Sequence, residues 1–195
     1  MTRVLVIPGS NREASLNRRL AAAAARAAVA AGAVVTVLDL KNFDLPIYDG
    51  DLEAEAGLSA NALRLKALIA AHDALIIAAP EYNASIPPLL KNAIDWASRP
   101  GVGALPANPF AGRFALLLSA SPGALGGLRG LAHLRAVLEQ LGTWLLPQSF
   151  ALAAAHQAFN ANGGLDEPQT RHLEQLVESL IAAAGPAHSR AGLAA

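Results

Sequence analysis

Two short stretches concentrate the side chains able to hold a ligand. The first, Gly9-Ser10-Asn11-Arg12-Glu13-Ala14-Ser15-Leu16-Asn17, follows an apolar run and opens a run of strong helix formers. A helix start presents unpaired backbone N–H groups and the positive end of a dipole, so it favours an anion. Ser10, Ser15 and Asn17 add neutral donors and Arg12 adds one positive charge, which suits a terminal phosphate monoester. The stretch lacks both the GxGxxG spacing of a dinucleotide fingerprint and the Gly-Lys-Ser/Thr ending of a triphosphate loop, so a mononucleotide phosphate is the better match. A plainer reading stands beside it, in which Ser15 only caps the helix and Arg12 is a solvated charge.

The second stretch, Pro80-Glu81-Tyr82-Asn83-Ala84-Ser85-Ile86-Pro87-Pro88, packs three prolines around one aromatic ring and two carbonyl-bearing side chains. Proline fixes backbone φ, so the loop is expected to be rigid and able to present amides to the edge of a planar heterocycle. Tyr82 could instead cover apolar surface with its hydroxyl at the rim. The alternative is a stiff turn whose only task is to launch a helix at Pro88. Glu81 has the chemistry of a general base, but a structural role suits its place better. No Ser-His-Asp arrangement and no dense carboxylate or histidine cluster accompanies these loops. His72, His133, His156, His172 and His188 are scattered and read as packing or surface residues.

The elements that must position the loops follow from patterning. Apolar runs at Arg3–Ile7, Val34–Leu40, Ala74–Ala79, Phe114–Ser119 and Thr143–Leu146 read as buried strands. Helices are expected from Leu16 to Ala31, stopped by Gly32, and from Ser59, as N-cap, to His72. Others are expected from Pro88 to Ser98, Leu128 to Leu141 and Asp166 to Ala184. The segments around Pro46 and Gly50, and from Pro100 to Gly112, read as loops. Five strands alternating with five helices imply an α/β domain with a doubly wound parallel sheet and helices on both faces, in three α/β/α layers. Five strands fit the flavodoxin-like order 2-1-3-4-5, in which strands one and three are neighbours at the switch point. The loops after Ile7 and after Ala79 should therefore meet. One domain over residues 1–185 is expected, with residues 186–195 as a disordered tail.

The chain of 195 residues is 53% apolar and only 15% charged, with a mean hydropathy of +0.35, which fits a sheet covered on both sides. Fifteen basic and fifteen acidic residues leave no net field for nucleic acid or an anionic membrane surface. The absence of cysteine excludes disulfides, thiolate chemistry and Cys-ligated metal centres. The N-terminus lacks the features of a signal peptide and the apolar stretches carry interrupting charges, so a cytoplasmic protein is expected.

The pair of motifs Gly9 to Asn17 and Pro80 to Trp96, the latter continuing as Leu-Leu-Lys-Asn-Ala-Ile-Asp-Trp, resembles the NADPH-dependent FMN reductase family. That family includes quinone-, azo-dye- and chromate-reducing flavoenzymes, and the motif order is similar from Val4 to about Leu146. The resemblance implies FMN as cofactor and NADPH or NADH as co-substrate. It puts Ser10, Arg12, Ser15, Leu16 and Asn17 at the phosphate, and Pro80, Glu81, Tyr82, Asn83 and Ser85 along the isoalloxazine and ribityl chain. A third loop, Ser121-Pro122-Gly123-Ala124-Leu125-Gly126-Gly127, matches the family's Gly-rich turn at the pyrimidine edge, with Ser121, Gly123 and Gly126 as candidate contacts; a simple strand-to-helix turn is the competing reading.

No catalytic side chain and no metal are implied, because the flavin carries the chemistry: hydride passes from nicotinamide C4 to flavin N5 and electrons then pass to a small acceptor. The acceptor itself, a quinone, azo compound, free flavin or oxyanion, is left open. Arg99, Arg113 and Arg129 are the candidates for a coenzyme 2′-phosphate. The helix with Asn92, Asp95 and Trp96 resembles the family's subunit contact, which implies a homodimer or homotetramer, against Trp96 lying in its own core. Two other classes remain: a flavodoxin-type FMN electron carrier without turnover of its own, and a flavin-free phosphate-ester hydrolase.

Overall fold

A computed structural model describes residues 1–100, 103–160 and 163–185. Strand β1 (Arg3–Pro8) leads into helix α1 (Leu16–Ala30), and β2 (Val34–Val37) follows. After a single 3-10 turn at Leu40–Asn42 come α2 (Gly50–Ala56), α3 (Ala60–Ala70) and β3 (Ala74–Ala78). The remainder is α4 (Pro88–Ala97), β4 (Phe114–Ala120), α5 (Leu128–Gln140), β5 (Trp144–Leu145), β6 (Phe150–Leu152) and α6 (Glu167–Ala183).

The sheet is parallel, in the order β2-β1-β3-β4-β5, with β6 also paired to β4. This is the flavodoxin-like order, with β1 and β3 adjacent and in register from Val4↔Ala74 to Pro8↔Ala78. Alternate strand residues serve opposite faces. Val4, Val6, Ile76 and Leu116 pack with Leu20, Ala21 and Ala24 of α1 and Leu173, Val177 and Leu180 of α6. Leu5, Ile7, Ile77 and Leu117 pack with Leu65 and Ile69 of α3, Leu90 and Ile94 of α4, and Leu131 and Leu134 of α5. Small residues on the buried stripe of α1 let that helix lie close to the sheet.

The fifth strand position departs from expectation. Trp144–Leu145 pairs with the start of β4 and Phe150–Leu152 with its end, so two short strands share the edge where one was expected over Thr143–Leu146. Pro147 lies in the gap and has no N–H for the ladder. The carbonyls of Leu146 and Pro147 accept from Arg135 instead. The second strand ends at Val37 rather than Leu40, because Asp39 accepts from the Lys41 N–H and starts the 3-10 turn. Helix α2 replaces part of the loop expected around Gly50. It is capped by Asp49 and buries none of its residues, so it left no apolar period to read.

Ser59 caps α3 through its Oγ, Pro88 occupies the first turn of α4, and the described residues include no helix long and apolar enough to cross a membrane. The expected disordered tail over 186–195, with His188, lies outside the described residues.

Candidate active site

The loops after β1 and β3 meet where the strand order reverses. The ladder runs to their roots: Gly9 N donates to Ala78 O at 2.8 Å and Ala79 N to Leu118 O at 2.8 Å. Between the loops lies a cleft of about 340 Å³ lined by Gly9, Ser10, Asn11, Arg12, Tyr82, Pro87 and Leu89. That volume is within the range of about 300–1,000 Å³ common for small-molecule sites. Gly9 has no room for a side chain larger than hydrogen without displacing a neighbour, since a Cβ there would stand 3.2 Å from Leu90 Cδ2.

The first loop is built as an anion cradle. Ser15 caps α1, its Oγ accepting from Arg18 N at 3.4 Å, which leaves the amides of Leu16 and Asn17 at the open helix end. Ser10 is buried and its Oγ accepts from Arg12 N at 3.3 Å. Arg12 is exposed, and among the described residues its guanidinium has no hydrogen bond or ion pair. Asn11 lines the cleft with a buried, unpartnered Oδ1. A phosphate oxygen would find two helix amides, a hydroxyl and a free cation here, so the donor set fits a phosphate monoester. Leu16 packs on the core beside them.

The side chain of Asn17 is committed to another contact, which leaves its backbone amide as its only donor toward the cleft. Its Nδ2 donates to Ala120 O at 2.8 Å and its Oδ1 accepts from Ala120 N at 2.9 Å. This two-way clamp ties the start of α1 to the end of β4, holding the first loop against the third.

The second loop is stiffened by more than proline. Tyr82 and Ser85 exchange backbone hydrogen bonds at 2.9 and 3.0 Å around Asn83 and Ala84, both with positive φ (51° and 62°). Positive φ at both central residues is the type I′ pattern that closes a tight hairpin. Tyr82, 42% exposed, stands over the cleft. Pro80 is half-buried at the root of the loop and Asn83 is exposed at its tip.

Glu81 turns away to helix α5. Its Oε1 accepts from Arg129 Nε at 2.9 Å and Nη2 at 2.5 Å, and its Oε2 accepts from Gly130 N at 3.0 Å. Gly127, the N-cap of α5, offers no side chain, so Glu81 supplies the cap from another loop. Burial alone would raise the Glu81 carboxyl; the bonds from Gly130 and Arg129 outweigh it and hold the group below its ordinary range. These partners commit the carboxylate to support. Ser85 Oγ meets His133 Nδ1 at 3.0 Å, a second link between this loop and α5.

The third loop does not line the cleft. Gly126 is buried with φ +60°, and a Cβ there would stand 2.8 Å from backbone atoms of Ala151, Leu152 and Ala153. Gly127 is equally confined, against Ser119 Oγ. Gly126 thus lets the loop pack closely on β6, and Gly127 lets it pack on the end of β4. Ser121 closes the turn, its Oγ accepting from Gly123 N at 3.2 Å, while Gly123 is exposed with room for a side chain.

Two of the three arginines considered for a coenzyme phosphate lie at the opposite, amino edge of the sheet. Arg113, just before β4, donates to Ala70 O and Pro109 O. Arg99, beyond the end of α4, lies over the Tyr48 ring and donates to Asp95 O. Trp96 is core, 2% exposed, with Nε1 donating to Pro46 O at 2.8 Å and its ring edge-on to Tyr48. Asn92 pins the same segment through Tyr48 N, Leu45 O and Pro46 O. His72 bridges Leu68 O and Thr36 Oγ1, and His172 packs on Phe150.

Sequence reading missed Lys66. It is fully buried and its Nζ donates to the carbonyls of Ala97, Arg99 and Ala107, closing the end of α4 onto the following loop. Burial and the nearby Arg99 charge lower its pKa. A lysine on a helix otherwise read by its apolar stripe gave no signal of this. No group of three or more potential metal ligands occurs among the described residues.

A flavodoxin-like sheet with a donor-rich helix-start loop and a stiff aromatic loop at its switch point has the class features of a mononucleotide-binding flavoprotein. The model of the NADPH-dependent FMN reductase family matches residues 2–157, and the chain belongs to that family. It is 38% identical over 174 residues to an NAD(P)H-dependent FMN reductase of Pseudomonas aeruginosa, covering 89% of each chain. It is also 38% identical over 143 residues to a quinone reductase of Escherichia coli, covering 73% of this chain and 72% of that one. Among solved structures it is similar to FerB, a flavoenzyme NAD(P)H:(acceptor) oxidoreductase from Paracoccus denitrificans. That likeness has 33% identity and a TM-score of 0.80, over 94% of this chain and 97% of the other.

Proposed function

We propose that this chain is an FMN-dependent oxidoreductase that takes reducing equivalents from NADPH or NADH and delivers them to a small acceptor in the cytoplasm. The observation that carries the reading is the pairing of an unpartnered Arg12 and open α1 amides with a rigid aromatic loop across one cleft. Membership of a reductase family favours turnover over a passive electron carrier. Among the described residues no nucleophile–base pair stands beside the cradle, which disfavours hydrolysis.

Bound FMN would supply the chemistry, accepting hydride from a nicotinamide and passing two electrons on. The protein's share is placement. Ser10, Arg12 and the amides of Leu16 and Asn17 hold the phosphate. The Tyr82–Ser85 turn, locked to α5 through Glu81 and Ser85, fixes the wall against which a planar ring lies. Tyr82 covers apolar surface and restricts water. Among the acceptors, an uncharged planar quinone is favoured by this stacking wall, and azo compounds and free flavin share its shape. Assembly as a homodimer or homotetramer is part of the proposal. With Asn92 and Trp96 used internally, the exposed Ile47, in the segment they pin, and Leu52 of α2 are the side chains offered for contact.

Adding FMN to flavin-free protein and desalting tests the reading. Retained flavin with quenched fluorescence is expected, and riboflavin, lacking the phosphate, should be retained far less. Equal retention of both would remove the phosphate cradle from the account.

A further inference from the structure

Among the described residues, the buried side-chain polar atoms without a hydrogen-bond partner are Asn11 Oδ1, Ser119 Oγ and Gln169 Oε1. An orphan of this kind is costly in a folded chain, so each one asks for a reason. Ser119 Oγ is pressed against Gly127, where a Cβ would stand 1.9 Å from it, and no ligand could enter. Gln169, in the first turn of α6, lines no part of the cleft. Asn11 alone of the three does.

The other polar side chains of its loop are spoken for. Ser10 Oγ accepts from Arg12 N, Ser15 Oγ accepts from Arg18 N, and Asn17 clasps Ala120. The Asn11 side chain makes no hydrogen bond to any described residue, so both ends of its amide are open to a ligand. The torsion that turns an asparagine amide is broad, and the group can swing toward the cleft at little cost.

The chemistry of an amide restricts what it can meet there. Its NH2 donates and its carbonyl accepts, whereas a phosphate dianion only accepts. A phosphate would engage the NH2 and leave Oδ1 orphaned. A run of hydroxyls, each both donor and acceptor, answers both ends. We infer that Asn11 reads the polyhydroxy chain of the ligand: its amide pairs with ribityl hydroxyls beside the phosphate and selects a polyhydroxy flavin phosphate over one with a plain alkyl chain. This rests on the proposed flavin-binding function. Loading the site then satisfies an acceptor that the fold by itself leaves unmet.

The test titrates flavin-free protein with three ligands and follows flavin fluorescence. FMN carries both groups, riboflavin keeps the hydroxyls without the phosphate, and an N10-phosphopentyl flavin keeps the phosphate without the hydroxyls. Asn11→Leu should weaken FMN and riboflavin by a similar factor, roughly tenfold for one lost hydrogen bond, and leave the phosphopentyl flavin unchanged. The preference of the wild type for FMN over the phosphopentyl flavin should shrink by that factor. Asn11→Ala, which adds no bulk to the cleft, should show the same pattern. Without ligand, Asn11→Leu should melt at or above the wild-type temperature, because it removes a buried acceptor that had no partner.

Equal losses for FMN and the phosphopentyl flavin, with riboflavin unaffected, would make Asn11 a phosphate ligand and overturn the inference. Unchanged affinity for all three ligands would also overturn it, as would equal losses for all three with a lowered melting temperature. Each of these results leaves the flavin reading standing. A wild type that binds none of the three overturns both.

Discussion

Arg12 and Arg129 are both exposed at the carboxyl edge, yet they are opposite electrostatic cases. Arg129 gives two donors to Glu81, whereas Arg12 gives none to any described residue. A free guanidinium contributes little to the fold, so Arg12→Met should leave urea stability within about 0.5 kcal/mol. Loss of a charge-assisted bond, about 1.5–3 kcal/mol, should weaken FMN binding by roughly 10- to 100-fold in a fluorescence titration. A large stability loss with unchanged affinity would contradict the assignment.

Glu81 is the reverse case, with its pKa held down by Gly130 and Arg129 against the opposing effect of burial. A carboxyl whose folded pKa is depressed contributes stability that is complete above its unfolded value, about 4.3, and is lost as pH falls through the lower folded value. Urea midpoints should therefore drop between pH 5 and 3 (roughly the carboxylate range) in the wild type, and the drop should be smaller in Glu81→Gln. Asp39, lowered by Arg18 and the Lys41 amide, adds a slope that the variant keeps.

Among the elements, the sheet order and the helices with apolar stripes were readable because each follows one rule: an unbroken apolar run for a strand covered on both faces, and a period near 3.6 residues for a helix packed on one. Helix α2 was not, because it packs nothing into the core. The divided edge strand was missed because Phe150–Leu152 is only three residues long and follows a proline. The third loop shows a related limit. Its glycines are visible in sequence, but a glycine needed for backbone approach to a ligand looks the same as one needed for packing on a neighbouring strand. The structure separates them. Gly126→Ala should destabilise by about 1–3 kcal/mol, from both the left-handed φ and the overlap with β6, while Gly123→Ala should stay within about 0.5 kcal/mol, both read from chemical melts. Comparable losses at the two positions would show that the loop is held in some other way.

At the scale of the whole molecule, the fold brings together residues far apart in sequence by ending β1, β3 and β4 at one level. Asn17 then binds Ala120 across 103 positions, and Glu81 binds Gly130 across 49. The three loops are thereby a braced unit, which explains why the motifs could be read from sequence while their division of labour could not. Residue type shows that Asn17 and Glu81 can bind a ligand; only the tertiary arrangement shows that their side-chain polar atoms are taken up in bracing.

The central claim is that this braced cleft holds FMN where a nicotinamide can reduce it, and an anaerobic titration of the FMN-loaded protein with NADPH, then NADH, tests it most directly. Stoichiometric bleaching of the protein-bound flavin absorbance by either coenzyme is the predicted result. Flavin that stays bound and oxidised in the presence of both would contradict the account and leave the protein a carrier whose electrons come from elsewhere.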